Sequence, residues 1–237
     1  MRLLLVLMLL GGLAACVTPG AQVKALKASR IGIINNLPAD AGDLYVGVTV
    51  FENELLQKQV DWDFPGLVSD ELARQITARG ATAVDLTAVP EVEDFRHDWF
   101  EVGYTLDLGL GKHALPDDRE ELLAGLMAKH NLDLVLLLLH SDYNEDVPYD
   151  EAHPIGAFGL FERPSLFGAP RIFTYVQIDA RAIAGSPPAV LEDLNGSNLR
   201  RVTENARQAD VHSPRFRPEV TEQAKQAVSM IVAQLGL

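Results

Sequence analysis

Cysteine is almost absent from this chain of 237 residues. It occurs once, at Cys16, so no intrachain disulfide can form and the fold must be held by its own packed core. Cations are scarce too. Twenty Lys and Arg stand against 33 Asp and Glu, and the formal charge of −13 opposes nonspecific attraction to nucleic acid or anionic lipid. No membrane-spanning run is present: a spanning helix needs about 20 apolar residues, whereas the apolar run at 3–10 is stopped by Gly11 and Gly12. The motifs of several enzyme classes are also missing. There is no Gly-x-Ser-x-Gly elbow, and Ser69 in Gly66-Leu67-Val68-Ser69 lacks its spacing. Gly109-Leu110-Gly111-Lys112 falls short of a phosphate loop, with Leu106 where the first glycine belongs and His113 in place of the hydroxyl. No internal repeat or low-complexity stretch is visible.

What is present begins with an address. Arg2, the apolar run and the small residues before Cys16 form the pattern of a secretory signal. Leu13-Ala14-Ala15-Cys16 resembles the lipobox of bacterial lipoproteins. That resemblance implies a diacylated Cys16 thiol, cleavage of the signal before it, and a new amino terminus that is acylated as well. Palmitate-type chains on Cys16 would be the only bound group expected, with no other cofactor, and the lipidated thiol would be lost to catalysis. Two or more chains anchor a protein stably where one does not. Val17, where Asp would retain the protein at the inner membrane under the family's sorting rule, implies the outer membrane, with the domain facing the periplasm.

The expected organisation is a signal at 1–15, a lipidated tether at 16–29 and a single α/β domain at 30–237. With 48% hydrophobic and 22% charged residues, the composition suits one globular domain with a sizeable core. Residues 18–29 carry Pro19 and Gly20 and read as linker, reaching at most about 40 Å. Lys24, Lys27 and Arg30 can face lipid headgroups; the alternative is an ordinary solvated linker.

The pattern predicts one mixed β-sheet with about three helices packed on it, and long hairpins and loops. Ile31-Gly32-Ile33-Ile34 reads as the first strand, and 44–51 with 55–62 as a hairpin. Asp63 as cap, Pro65 in the first turn, the stripe Leu67, Val68, Leu72, Ile76, and Arg79-Gly80 as stop predict a helix leading to a strand at 81–86. A strand with one apolar face is expected at 102–110. Asp117 and Glu120, spaced like a capping box, open a second helix that ends at Lys129-His130-Asn131. The run 132–139 reads as a central strand buried on both faces, a leucine helix being the competing reading. Residues 141–171 look like loops with one hairpin arm. A long strand at 171–183, wet on the side of Gln177, Asp179 and Arg181, turns at Gly185-Ser186-Pro187-Pro188 and returns over 189–194. A polar loop bearing several arginines follows. A terminal helix behind Pro218 carries Val220, Ala224, Ala227, Val228, Ile231, Val232 and Leu235.

That order is similar to an α/β domain shared by the amino-terminal domain of the periplasmic Tol propeller protein, the curli-secretion lipoprotein and the lipoprotein activators of cell-wall synthases. The matching stretches are 45–51, the helix 67–80 running into 81–86, Leu132-Asp133-Leu134-Val135, and Val176-Gln177-Ile178-Asp179 before the Gly185 turn. The strand at 102–110 and the loops at 141–171 depart from the pattern. The resemblance implies a nonenzymatic accessory role in an envelope assembly.

Two stretches are candidates for binding. Asp142, Asn144, Asp146 and Asp150 occupy positions one, three, five and nine of a calcium-loop spacing and offer hard oxygen ligands. Val147 stands at the glycine position and His153 where the closing Glu belongs. A cation or small-ligand module at 142–153 is therefore the alternative function, set against a solvated acidic loop; His140 and His153 could also bracket a transition metal with Asp142 or Asp150. The second stretch holds Phe158, Phe161, Leu166, Phe167 and Phe173, punctuated by Gly and Pro. It would dock an envelope protein or the membrane face if exposed, or pack on the domain's own core if not. Arg200, Arg201, Arg207, Arg215 and Arg217 form a field opposite in sign to the acidic loop.

Overall fold

The computed structural model of the protein describes residues 21–45, 54–93, 99, 115–140, 157–163, 171–202 and 210–237. The expected strand at 102–110 lies outside them, as do the signal and Cys16. The chain is mixed α/β, with one eight-stranded sheet between helices. The strands are β1 (Arg30–Asn35), β2 (Ala41–Tyr45), β3 (Glu54–Lys58), β4 (Thr82–Asp85), β5 (Leu134–Leu139), β6 (Phe158–Arg163), β7 (Arg171–Ala184) and β8 (Ala189–Arg201). The helices are α1 (Ala21–Leu26), α2 (Phe64–Ala78), α3 (Pro90–Glu93), α4 (Asp117–His130) and α5 (Phe216–Leu235).

β7 organises the sheet because it is long enough to carry two strands end to end along one side. Its first half pairs with β6, from Phe158↔Val176 to Arg163↔Arg171, and its second half with β5, from Leu139↔Asp179 to Val135↔Ile183. On its other side β8 runs almost the whole length. β1 and β4 extend the β5 half in parallel, and β2 and β3 extend the β6 half. The result is two half-sheets, β4-β1-β5 and β3-β2-β6, joined by the β7–β8 hairpin. Asn35 closes the junction from one half: its amide group donates to the Pro65 carbonyl and the Ser69 hydroxyl of α2 at 2.8 Å each, and its Oδ1 accepts from the Leu37 N–H.

One face packs α2 and α5 over Ile31, Ile33, Leu134, Leu136, Leu138, Ile178 and Ala182. The other packs α4 over Ile34, Val135, Leu137 and Ile183. A strand covered on both faces must be apolar at every position, which is why β5 reads as an unbroken run of Leu and Val. α2 begins and ends on its sequence signals. Asp63 accepts from the Gly66 N–H at 2.9 Å, Pro65 lies in the first turn, and Gly80 takes φ +88°. α4 does not begin as expected. Its cap is Pro116, which has no side-chain acceptor, so Asp117 is already helical and no capping box forms.

Two other expectations change. β8 continues to Arg201, well beyond residue 194, through Asn195-Gly196-Ser197-Asn198, which read as loop. Its backbone is paired by β7 while Asn195, Ser197 and Arg200 face solvent, so their low strand preference costs little on an edge. Residues 21–26 form a helix and not free linker. Val23 is 2% exposed, and α1 packs on α5 and β8.

Candidate functional site

Phe158, the first of the aromatic candidates, lies at the junction of the half-sheets. It stacks on Phe64 at 4.0 Å between centroids, tilts against Trp62 at 5.3 Å and approaches Phe216 at 6.4 Å. These rings bring together β6 and the starts of α2 and α5. The Arg217 guanidinium lies 5.7 Å over Trp62 at the rim. Phe158 is 0% exposed, so it is core and cannot present a free docking ring. Phe161 is 2% exposed, on the opposite face of β6 from Leu160, with Phe173 6.1 Å away and Arg163 5.4 Å over its ring. Phe173 is half-buried, while Leu166 and Phe167 lie outside the described residues. The periodicity of a strand was present in Phe158-Gly159-Leu160-Phe161, but Gly159 reads as a loop signal in sequence. In the sheet that glycine is required, because a Cβ there would collide with the Gly42 carbonyl oxygen.

The acidic candidates Asp142, Asn144, Asp146 and Asp150 lie outside the described residues. The last described residue before them, His140 just past the end of β5, is half-buried next to the junction. Among the described residues no group of three or more His, Cys, Asp or Glu is placed to hold a metal ion. An open groove of about 420 Å³ on α4 is lined by Glu91, Asp118, Glu121, Gly125, Leu126 and Lys129. Three carboxylates and one ammonium make it an acidic surface with no convergent donor set.

The β7–β8 hairpin carries its polar residues on the side expected to be wet, but on β7 they are only partly exposed. Gln177, Asp179 and Arg181 are half-buried on the side opposite Ile178, and across the ladder stand Ser197, Asn195 and Asp193. The Arg181 guanidinium lies 3.2 Å from the Asp193 carboxylate. Farther along, Leu199 is 50% exposed beside Arg200 and Arg201. Of the basic group, Arg200 and Arg201 are therefore strand residues on an edge, Arg215 and Arg217 flank the start of α5, and Arg207 lies outside the described residues.

A half-buried charge system, unforeseen from sequence, spans the β3-β2-β6 half. Lys58 pairs with Asp43 at 2.5 Å, and the bond to Asp43 raises its pKa. Burial, reinforced by the Asp43 charge, pushes the Glu162 carboxyl above its ordinary value, and burial does the same to the fully enclosed Tyr175 phenol. Their signal was positional: Asp43 becomes visible as a paired group only once β2 is known to lie between β3 and β6.

At the far end of the β4-β1-β5 half, α1 leads into β1. Asp133 there accepts from the Ser29 N–H and hydroxyl at 2.8 Å each and the Arg30 N–H at 3.0 Å, bonds that lower its pKa. Arg30 Nε donates to the His130 carbonyl at 2.7 Å, closing the end of α4. α1 docks beside them, its Lys24 stem lying on Gly236 at the end of α5. No described helix is long and apolar enough to cross a membrane. No protein-family model, curated protein or solved structure matches the chain.

Proposed function

We propose that the protein is a lipid-anchored accessory protein of the bacterial envelope, held by Cys16 in the outer membrane on its periplasmic side, and that it binds another envelope component without catalysing a reaction. The observation that carries this reading is Leu13-Ala14-Ala15-Cys16, a signal cut site ending at the chain's one cysteine. The domain begins at once behind it. With α1 packed on the sheet, only residues 17–20 separate Cys16 from the fold, a reach of about 18 Å rather than 40 Å. Since Phe158 and Phe161 are interior, the binding surface moves to the β7–β8 hairpin, where exposed Leu199 and Arg201 adjoin the polar face of Gln177 and Asp179. An edge strand of this length, paired on one side among the described residues, suits addition of a partner's strand or loop.

Mass spectrometry of the mature amino-terminal peptide should find a diacylglyceryl thioether on Cys16, and Cys16→Ser should leave the protein in the soluble fraction. A photo-crosslinker at Leu199 should give one discrete adduct with an envelope protein, lost in Arg201→Glu. An unmodified Cys16 in a membrane-free protein would overturn the anchor, and an unchanged adduct in Arg201→Glu would overturn the surface.

A further inference from the structure

The end of the domain that receives the anchor gathers cations from the ends of three helices. β1, β4 and β5 are parallel and begin here, at Arg30↔Thr82 and Ile31↔Leu134. α2 and α4 therefore end here as well, bringing Arg79 and Lys129 to the same edge. Lys24 and Lys27 come from α1 and the bend behind it, and both are exposed, as are Arg79 and Lys129. Leu26, between the two lysines, is 39% exposed. The turn from β7 to β8, Gly185-Ser186-Pro187-Pro188, is also at this end and carries no charge. Opposing anions are fewer than these cations. Asp133 keeps its charge while accepting from Ser29 and Arg30, and Glu192 lies at the Val23 N–H.

We propose that this end is a membrane-contact face, with Lys24, Lys27, Arg79 and Lys129 against the phosphates of anionic lipid headgroups and Leu26 turned into the interface. The inference rests on the lipid-anchor reading and adds an orientation to it. The net charge of −13 does not oppose it, because range decides. Asp63, Asp117 and Asp118 open α2 and α4 at the opposite end, and 15 residues of helix separate the two ends of α2 by about 22 Å. That is more than twice the Debye length of about 8 Å at physiological salt, so the lipid surface sees the near charges. Lys129 also suits the negative end of its own helix, and Arg30 is occupied at the His130 carbonyl. Lys24 stands in the last turn of α1 and Lys27 just beyond it, and a reach of about 18 Å keeps both at the surface. Each cation near an anionic leaflet biases docking about fivefold.

The test uses the full lipidated protein in vesicles of phosphatidylglycerol and phosphatidylethanolamine, and in vesicles of phosphatidylcholine, treated with an amine-reactive reagent. Labelling of Lys24, Lys27 and Lys129 relative to the exposed Lys225 should fall several-fold on the anionic vesicles alone and recover in high salt. In Lys24→Glu with Lys27→Glu, the protein should still float with the anionic vesicles while Lys129 labelling returns to its phosphatidylcholine level. Equal labelling on both vesicle types would overturn the contact face. Failure of the wild-type protein to float with either would overturn the anchor itself, and with it this inference.

Discussion

Two glycines show how differently the same side-chain atom can be received. Gly196 on β8 lies against α5, and a Cβ there would collide with the Ala227 carbonyl oxygen. Neither side of that contact is a flexible side-chain tip, so Gly196→Ala should force helix and strand apart and cost about 1–3 kcal/mol. Gly125, in the middle of α4, has nothing near its would-be Cβ. Gly125→Ala should therefore stabilise by about 1 kcal/mol through the helix preference of alanine. Urea unfolding of the two variants checks both signs. Glu162 gives a pH-dependent case. Because folding raises its pKa above the ordinary 4.5, the folded state holds the proton more tightly, and stability falls as pH rises through that window. Glu162→Gln should raise the melting temperature slightly at pH 7, and the gain should vanish below pH 4.5, where the carboxyl is protonated in both states. A gain that persists in acid would contradict the assignment.

Elements whose ends are written in local chemistry could be read directly. α2 has Asp63, Pro65, an apolar stripe and Gly80, each doing what its type dictates, and the continuous run of β5 announced a strand covered on both faces. Legibility failed where a partner elsewhere in the chain decides the outcome. Asn195-Gly196-Ser197-Asn198 is loop-like by composition, but β7 supplies its ladder and α5 needs the glycine's bare backbone. α1 is too short to persist as a helix alone and exists because Val23 finds α5 and β8. Phe158 is the clearest instance. An aromatic in a glycine-rich stretch reads equally well as a docking ring or as core, and only the stack on Phe64 and Trp62 selects core. Phe158→Ala should cost about 3–5 kcal/mol in unfolding free energy. A loss below about 1 kcal/mol would mean that the junction cluster is not a principal support of the fold.

For the whole molecule, one mixed sheet with helices packed on it was the expected architecture and is the observed one, the helices lying on both faces. Its division into two half-sheets was not foreseen, because nothing local to β5 or β6 states that they share one side of β7. The candidate site was less legible than the fold for the same reason. Charge totals describe the molecule as acidic, whereas gathering Lys24, Lys27, Arg79 and Lys129 at one end requires knowing that three parallel strands begin there.

The direction of β1 has a mechanical consequence. A pull on the amino-terminal side of α1 would reach the fold through α1 and then the first residue of β1, which lies between β4 and β5 with both running parallel to it. The force then acts along the strand, perpendicular to its ladder bonds, so they are loaded in shear and must break together. A strand drawn sideways would unzip one bond at a time under far smaller loads. α1, short and held by few core residues, would peel away first and lengthen the leash, while the sheet behind it remained closed. The protein is thus built like a cleat, yielding a little line under tension before its grip is tested.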